Sequence, residues 1–400
     1  MLEGIKVIEL GTHIAVPNAT RLMADWGADV IKVESPSGDA WRTIGNSYGV
    51  PYSRDCNPIF QVPNSNKRSI VLNLKDPAGR ELLIELLKDA DVFMTNTRPG
   101  ALRKLGLDYD SVKESFPALI YIHFTGYGFE GPDKDRPGFD IAAYWAKAGM
   151  PVEWSLKEYR PFRPLPGFGD ATVGFINLSA ALVALLSREK TGKGDFIKTS
   201  LYSGALWFNS CGIISSQFQD APYPRSRYEQ PTPYHLIYQT KDGDYFFFSA
   251  TNWDSMCDRF LEKIGMEQYI GDPRFVTLAA TREHLSELAP LFDEAFGKMS
   301  TRQVTEAFTE LDVVCEMLSN PKDVVSDEQA WTNDYLFRAE MENGREVVLP
   351  TSPIRFENSG VKDFSLAPGL GEHTVGILKE MGYSDAEIGA FIKNGTVACG

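Results

Sequence analysis

Short apolar runs of five to seven residues alternate with amphipathic segments along the first half of the chain. Two of these segments, 18–26 and 77–90, carry Leu or Met at helical spacing and predict helices. A strand, a helix and a strand within roughly thirty residues form a βαβ unit, which implies a parallel strand pair with a right-handed crossover. The repeated pattern therefore predicts the α/β class, with a doubly wound parallel sheet. The predicted strands are 5–10, 29–34, 68–74, 91–95, 119–124 and 196–200.

Two further stretches of the first half have less regular patterns. Residues 35–66 are rich in Ser, Pro, Gly, Asn and Tyr and predict a long loop. Loops of this length in compact domains are usually functional or mobile. Residues 139–147 predict a helix before the long apolar segment that follows.

The second half of the chain predicts a smaller α+β domain. Residues 219–233 are polar and proline-rich, which favours a domain boundary. Beyond them, the β-prone runs 236–240 and 245–250 flank Asp242-Gly243, a strong β-hairpin signal. Several helices are predicted from there to about residue 330.

The C-terminal segment predicts a return to the large domain. It contains an antiparallel pair near 336–349 and helices at 373–381 and 386–393. The predicted organisation is a large domain of residues 1–223, completed by 330–400, with a small inserted domain at 224–329.

Composition narrows the functional class. The 400 residues carry a net charge of −14, so we expect neither nucleic acid nor an anionic membrane surface to be a partner. The N-terminus lacks a basic segment followed by an apolar run, so no signal peptide is expected. The apolar stretch 173–186 is interrupted by Asn177 and Ser179 and is too short to span a bilayer, which takes roughly 20 residues. We therefore expect a cytoplasmic protein.

The sequence does not indicate a metal site, a dinucleotide-binding loop after the first strand or a P-loop. The five cysteines are scattered without a C-x-x-C, and the five histidines show no metal-ligand spacing, so no metal site is expected. The loop after the first strand has no G-x-G-x-x-G, and the chain has no P-loop motif. No permanently bound cofactor is predicted.

One carboxylate stands out at the start of the long apolar helix. Asp170 follows Gly167 and Gly169 and precedes a helix predicted to run to about residue 190. Asp is a favoured N-cap residue, which would make its role structural. A carboxylate beside glycines at the edge of a cleft can instead act as a nucleophile. Spacing alone leaves both interpretations open.

Cations follow several of the predicted strands. Lys75 follows the third strand, and Arg98 and Lys104 follow the fourth. Arg136 lies in the loop after the fifth strand. Each alone is ordinary surface charge, but several cations at one sheet edge of an acidic protein suit a phosphate-rich ligand. His13, in the loop after the first strand, is a separate candidate: either it lines a ligand cleft or it is an ordinary hydrogen-bonded loop histidine.

A series of motifs, in order along nearly the whole chain, resembles the class III CoA-transferase family, which includes formyl-CoA:oxalate and carnitine CoA-transferases and α-methylacyl-CoA racemases. Individually the motifs are weak, whereas together and in order they are specific. They are Gly4-Ile-Lys-Val-Ile-Glu-Leu10, Ala24-Asp-Trp-Gly-Ala-Asp-Val-Ile-Lys-Val-Glu34, Asn66-Lys-Arg-Ser-Ile70, Asn96-Thr-Arg-Pro-Gly-Ala101, Pro137-Gly-Phe-Asp140, Gly169-Asp170, Lys190-Thr-Gly-Lys-Gly194 and Leu370-Gly-Glu-His-Thr374.

The resemblance implies that Asp170 is the catalytic nucleophile and that coenzyme A is a co-substrate. The aspartyl group would pass through a mixed anhydride and an aspartyl-CoA thioester, so that the thioester energy is kept and ATP is not needed. The resemblance also implies an interlocked homodimer. The residues that it assigns to CoA binding are His13, Ile14, Ala15, Leu72, Lys75, Asn96, Thr97, Arg98, Lys104, Arg136 and Phe139.

The chain departs from parts of the family pattern. Ser35 replaces an Arg of the oxalate enzymes, Ile14 replaces a Gln, and a tetraglycine loop is missing, so oxalate is not the expected substrate. The racemases have a His where this chain has Phe139, and a phenyl ring cannot exchange a proton. Two alternatives remain beside transfer: a racemase-like isomerase, and a CoA-binding protein without transfer activity.

Further segments resemble the family branch that acts on (R)-2-hydroxy acids in amino-acid fermentation. The implied reaction moves CoA from an acyl-CoA or enoyl-CoA donor to an (R)-2-hydroxy acid. The resemblance favours 2-hydroxyisocaproate, in leucine degradation, over an aromatic acid. The segments are Gly126-Tyr-Gly128, Gly131-Pro-Asp-Lys-Asp135, Pro166-Gly-Phe-Gly-Asp170, Glu328-Gln-Ala-Trp-Thr-Asn-Asp-Tyr-Leu336 and Leu378-Lys-Glu-Met-Gly-Tyr383.

Overall fold

The computed structural model describes residues 1–218 and 223–400, and it divides into two compact units. Residues 219–222 of the predicted boundary lie outside the described residues. Unlike the predicted large domain 1–223, the first unit excludes residues 150–163 and everything from 214 onward up to 327. The first unit is Met1–Gly149, Pro164–Ile213 and Glu328–Gly400, and the second is Met150–Arg163 and Ile214–Asp327.

The strands of the described residues fall at or close to the apolar runs of the sequence. Each of the first five is almost entirely buried, as expected for a sheet covered on both faces. In chain order they are β1 Lys6–Leu10, β2 Asp29–Glu34, β3 Arg68–Leu72, β4 Val92–Thr95, β5 Ile120–Thr125, β6 Phe196–Ser200, β7 Tyr238–Gln239, β8 Tyr245–Ser249, β9 Val314–Met317, β10 Leu336–Glu340, β11 Glu346–Pro350 and β12 Val397–Ala398.

The helices connect these strands and continue into the C-terminal segment. Short 3₁₀ helices lie at Ala40–Tyr48, Arg227–Glu229, Pro233–His235 and Glu267–Tyr269, and a π-helix lies at Asp140–Ala146. The α-helices of the described residues are α1 Ala15–Asp25, α2 Pro58–Asn64, α3 Pro77–Leu87, α4 Pro99–Leu105, α5 Tyr109–Val112, α6 Met150–Glu153, α7 Phe168–Thr191, α8 Leu201–Phe208, α9 Ser210–Ser215, α10 Trp253–Lys263, α11 Leu278–Glu283, α12 Leu285–Phe296, α13 Thr301–Leu311, α14 Pro321–Val324, α15 Glu328–Thr332, α16 Thr374–Glu380 and α17 Asp385–Lys393.

The large sheet has the order β12-β3-β2-β1-β4-β5-β6. All neighbours are parallel except β12, which runs antiparallel to β3. The chain winds outward from β1 in one direction through β3 and then returns to β4 on the other side of β1. The predicted doubly wound α/β sheet is therefore confirmed, and its topological switch point lies between β1 and β4, where such sheets bind ligands.

Helices cover both faces of this sheet. On one face, the leucines of α3 pack with β1, β2 and β4 in a core that also includes α16. On the other face, α1 packs against α7. The two helices approach closely because Gly174 of α7 lies over Asn18 and the carbonyl of Ala15. Buried Asn177 donates a 3.5 Å hydrogen bond to the same carbonyl.

Helix α7 extends beyond the apolar stretch 173–186 on both sides. Among the described residues, α7 is the one helix that is long and apolar enough to cross a membrane. Of its most apolar 18-residue stretch, 44% is buried inside the protein. The helix packs against α1 within the first unit, as a core helix does.

The long loop predicted at 35–66 is partly helical, so that prediction is wrong in part. Asp39 begins the 3₁₀ helix Ala40–Tyr48 by accepting a 2.9 Å hydrogen bond from the N–H of Trp41. Helix α2 has Pro58 in its first turn and buries Phe60. Proline and glycine in the sequence obscured both helices, because these residues are also typical of loops.

The second unit has a three-stranded antiparallel sheet, β7-β8-β9, packed on helices. The predicted hairpin is present, since β7 and β8 pair around Gly243, which has a φ of 96°. The core of the second unit is strongly aromatic, with Trp253, Phe260 and Phe292 among the completely buried side chains.

Candidate active site

Asp170 lies in the first turn of α7 but does not cap it. The N-cap position belongs to Gly167, whose φ of 94° is in the left-handed region that glycine tolerates. The structural interpretation of Asp170 as an N-cap is therefore wrong for this helix. Its carboxylate has no hydrogen-bond partner among the described residues.

A second carboxylate, from the π-helix, takes over the capping role. Asp140 Oδ2 accepts a 2.6 Å hydrogen bond from the N–H of Gly167. Burial raises the pKa of Asp140, whereas the N–H groups of Gly167, Gly169 and Asp170 act in the opposite direction. The unpaired amides at the start of α7 are thus served by a residue nearly thirty positions away.

Gly169 allows this arrangement because Asp140 and the ring of Tyr144 lie directly against it. A Cβ atom at position 169 would overlap Asp140 Oδ1 and the Tyr144 ring carbons. Any side chain there would push the π-helix away from α7.

The environment of Asp170 makes it a basic carboxylate. Burial, followed by the charge of Asp140, raises its pKa from 3.8 to about 7. The carboxylate is nevertheless partly exposed, and it forms part of the wall of a cavity of about 430 Å³. Near neutral pH, Asp170 is available in both its ionised and its protonated form.

The cavity lies at the carboxyl ends of β1, β4 and β5, next to the switch point of the sheet. Seven of the residues selected from the sequence line it together: His13, Asn96, Arg98, Lys104, Arg136, Phe139 and Asp170. The other lining residues are Thr12, Pro99, Gly100, Ala101, Phe124, Thr125, Gly126, Lys134, Asp135, Pro137, Gly138 and Leu201.

Four cations surround this cavity, against two carboxylates. Arg98, Lys104 and Lys134 form no ion pair with any residue in the described parts of the chain. Arg136 lies 3.5 Å from Asp133 and 5.4 Å from the ring centre of Tyr127. The cavity therefore combines one basic carboxylate with an excess of positive charge, which suits an anionic ligand.

His13 contributes an aromatic contact to the same wall. Its ring centre lies 5.3 Å from that of Phe139, in an edge-to-face arrangement. Burial lowers the pKa of His13, so the imidazole is mainly neutral at pH 7. It is therefore better suited to packing and hydrogen bonding than to neutralising a phosphate.

Asn96 uses its side chain to join two loops. Its Oδ1 accepts a 3.0 Å hydrogen bond from the N–H of Thr12, and its Nδ2 donates a 2.8 Å bond to the carbonyl of Thr12. The loops after β1 and β4, which form opposite sides of the switch point, are thereby held in register.

The structure does not bring the remaining five selected residues into the cavity wall, so their contact with CoA stays a prediction. Ile14 packs against Gly167, and Ala15 is buried at the start of α1. Leu72 is buried opposite Val397 of β12. Lys75 is exposed beyond β3, and the carbonyl of Thr97 is hydrogen-bonded to His123 Nε2 at 2.8 Å.

Two functional candidates were missed from the sequence. Asp140 belongs to the Pro137–Asp140 motif, but its role as the cap of α7 depends on a contact across 27 positions. Lys134 lies in the polar loop 131–136 and lines the cavity. Its position two residues before Arg136 in the sequence was the signal that could have identified it.

Comparison with known proteins gives a consistent result over almost the whole chain. The family model described as CoA-transferase family III matches residues 2–374. The (R)-2-hydroxy-4-methylpentanoate CoA-transferase of Clostridioides difficile is 35% identical over 391 residues, covering 98% of both chains. The cinnamoyl-CoA:phenyllactate CoA-transferase of Clostridium sporogenes is 37% identical, covering 97% of this chain and 95% of the other. The crystal structure of a CAIB/BAIF family protein from Brucella suis superposes with a TM-score of 0.80 at 30% identity, covering 95% and 99% of the two chains.

Proposed function

The chain belongs to CoA-transferase family III, and we propose that it moves CoA to an (R)-2-hydroxy acid through covalent intermediates on Asp170. The donor is an acyl-CoA or enoyl-CoA. Two relatives at 35% and 37% identity act, by their names, on 2-hydroxy acids with an aliphatic and an aromatic side chain. Of these, we propose the branched aliphatic acid of leucine fermentation, 2-hydroxyisocaproate, as the acceptor.

The observation that carries this proposal is that Asp140, and not Asp170, caps helix α7. Asp140 accepts the N–H of Gly167 at the start of α7, and the carboxylate of Asp170 has no structural partner at the cavity wall among the described residues. A raised pKa also makes the ionised carboxylate a stronger nucleophile than an ordinary Asp.

The first half of the reaction loads CoA onto the enzyme. An oxygen of Asp170 attacks the thioester carbonyl of the donor, the C–S bond breaks, and CoA thiolate leaves as the mixed anhydride forms. The thiolate then attacks the aspartyl carbonyl, which breaks the anhydride C–O bond. The donor acid departs as a carboxylate, and an aspartyl-CoA thioester remains.

The second half transfers CoA to the acceptor. The carboxylate of the 2-hydroxy acid attacks the aspartyl carbonyl and releases the thiolate, which gives a second anhydride. The thiolate attacks the hydroxyacyl carbonyl, and the Asp170 carboxylate leaves. No net proton is consumed, and no step requires hydrolysis. Each anhydride is more reactive than the thioester that it replaces, so water must be kept away from the cavity.

The charges around the cavity support binding of CoA. Arg98, Lys104, Lys134 and Arg136 provide cations for its phosphates, at the sheet edge where nucleotides bind in doubly wound folds. Coenzyme A is thus proposed as a co-substrate, without a permanently bound cofactor.

The racemase alternative requires a proton acceptor beside the α-carbon of the acyl group. Phe139 occupies the position in question, and its ring packs against the ring of His13. Phenyl cannot accept a proton, so transfer is favoured over isomerisation. Incubation of a 2-methylacyl-CoA in D₂O tests this alternative, because a racemase would exchange the α-proton.

The remaining parts of the proposal concern assembly and location. We propose a cytoplasmic homodimer, with residues 224–329 as a separate small domain. Val183, Leu186 and Trp207 are 67%, 67% and 77% exposed on α7 and α8, which supports burial of this surface in a second copy. Sedimentation of the purified protein at several concentrations tests the dimer.

Trapping with hydroxylamine tests the covalent route. Hydroxylamine added with acyl-CoA should convert Asp170 to a hydroxamate, which mass spectrometry of the peptide detects. The variant Asp170→Asn should be folded, bind CoA and give neither transfer nor hydroxamate. Full transfer activity in Asp170→Asn, or a wild-type enzyme that turns over without trapping, contradicts the mechanism. Failure of the wild-type protein to bind CoA contradicts the proposed function as a whole.

A further inference from the structure

Two acidic and two basic side chains lie completely buried beneath the loop that carries His13. Glu9 Oε1 is 2.7 Å from Lys32 Nζ, and Glu9 Oε2 is 2.7 Å from Lys67 Nζ. Lys32 Nζ is also 2.9 Å from Asp39 Oδ2. We call Glu9, Lys32, Lys67 and Asp39 the buried ion cluster. With two carboxylates and two ammonium groups it is formally neutral.

The buried ion cluster holds the loop 11–17 at three points. At its start, Lys32 Nζ donates a 2.9 Å hydrogen bond to the carbonyl of Gly11. At its end, Lys67 Nζ donates a 2.8 Å bond to the carbonyl of Pro17. Between them, Asp39 Oδ1 accepts a 3.0 Å bond from the N–H of His13.

The middle contact matters because of the backbone at His13. This residue has a φ of 66°, in the left-handed region that side chains other than glycine rarely adopt. Such a conformation persists only where the surroundings hold it in place. The bond from Asp39 provides that hold, and the resulting backbone turns the ring of His13 toward Phe139.

Stability alone does not account for the cluster. Burying charges costs desolvation free energy, and an apolar replacement of similar volume often stabilises a core at least as well. What the charges supply here, and apolar side chains do not, is a set of donors and acceptors for the loop backbone. The reaction steps proposed above use none of these four groups.

We propose that Asp39, fixed by Lys32 and the rest of the buried ion cluster, is a positioning residue for CoA binding. It sets the conformation of loop 11–17 and thereby the place of His13 in the cavity wall. The inference rests on the proposed function for the identity of the ligand, whereas the effect on the loop is independent of it.

The variant Asp39→Ser separates positioning from helix capping. Serine remains a good N-cap for the 3₁₀ helix 40–48, but its short side chain does not reach the N–H of His13 or Lys32. Asp91→Ser is the matched control at the opposite edge of the sheet. Asp91 also accepts a backbone N–H, from Lys6 at 2.7 Å, and also pairs with a cation, Arg188 at 2.7 Å.

Affinity for CoA and amide hydrogen exchange should distinguish these variants. Asp39→Ser should raise the Kd for free CoA and the KM for acyl-CoA at least tenfold, with kcat changed less than threefold. It should also speed amide hydrogen exchange in peptides covering residues 11–17. Asp91→Ser should change none of these three quantities. Asp39→Asn keeps the Oδ1 acceptor and loses only the ion pair, so its KM should rise about threefold.

The outcomes that overturn the inference are specific. The inference is overturned if Asp39→Ser is folded and its KM and amide exchange are unchanged. It is also overturned if the Asp91→Ser control shows effects as large as those of Asp39→Ser. Should Asp39→Ser fail to fold, Asp39→Asn against Asp91→Asn decides the question, and equal KM values count against positioning. A wild-type protein that binds no CoA would refute the proposed function, while the exchange comparison would still test the hold on the loop.

Discussion

Asp140 caps the helix that carries Asp170, through a 2.6 Å hydrogen bond from the N–H of Gly167 to Asp140 Oδ2. The same carboxylate places a like charge near Asp170 and contributes to its raised pKa. One side chain therefore has two consequences for the candidate nucleophile. It frees Asp170 from capping, and it increases its basicity.

We expect transfer to depend on pH through Asp170. Burial and Asp140 raise its pKa to about 7, and only the ionised carboxylate attacks a thioester. The value of kcat/KM should thus fall about tenfold per pH unit below that pKa and level off above it. Steady-state kinetics from pH 5 to 9 measures this profile.

The variant Asp140→Asn checks the origin of that profile. Its amide oxygen can still accept the N–H of Gly167, but the negative charge is removed, so the midpoint should move to lower pH. A midpoint that stays in place would show that Asp140 does not tune Asp170. A profile that is flat from pH 5 to 8 would show that Asp170 titrates outside that range.

The raised pKa of Asp170 also predicts an effect on stability. Folding shifts this pKa from 3.8 to about 7, so the folded state favours the protonated form. Ionisation of Asp170 consequently lowers the free energy of unfolding as pH rises between these values, and the loss is complete above about pH 7. Asp170→Asn avoids this loss.

Denaturation in urea at two pH values measures that difference. At pH 8 the Asp170→Asn variant should be more stable than the wild type by about 1–3 kcal/mol, a range reduced for partial exposure of the group. At pH 4 the two proteins should be nearly equal. A variant that is less stable at pH 8 would indicate that the ionised carboxylate has a stabilising partner.

Gly169 should not tolerate a side chain. The Cβ of Gly169→Ala would overlap Asp140 and Tyr144, and relief of that overlap requires separating the π-helix from α7. We expect a loss of about 2–3 kcal/mol in the free energy of unfolding. Gly389→Ala, in the exposed helix α17 with nothing near its Cβ, is the control. It should be neutral or stabilising by up to about 1 kcal/mol. Equal losses in both variants would contradict the close packing described for Gly169.

The free cations of the cavity should govern the affinity for acyl-CoA. Lys104→Gln removes a charge that has no ion-pair partner among the described residues, so KM should rise about three- to tenfold, with kcat little changed. The effect should shrink at 0.5 M salt because exposed charges are screened. Lys113→Gln, which loses a surface pair with Asp110 and a contact with the ring of Tyr109, is the control and should leave KM unchanged. A salt-independent KM in the wild type would argue against phosphate binding by these cations.

Much of the fold follows from patterns within short segments of the sequence. The six predicted strands of the large sheet, the hairpin around Gly243 and the helices α16 and α17 were all visible as local periodicity or turn chemistry. Asp170 was visible because it stands beside glycines at the start of the long apolar helix. The cations after β4 and β5 were visible because parallel strands bring their carboxyl ends to one edge. These features depend on spacing along the chain, which the sequence contains directly.

Other features were decided only by tertiary structure. Asp140 reaches α7 across 27 positions, and Glu9 meets Lys67 across 58. In the sequence, Glu9 and Lys32 are charged residues within largely apolar strands, and nothing in that pattern predicts a partner. Whether a charged side chain is solvated, paired or available for chemistry depends on which distant groups the fold brings near it. The sequence therefore singled out the carboxylate of Asp170, whereas packing of the π-helix against α7 determined that Asp140, and not Asp170, pairs with the N–H of Gly167.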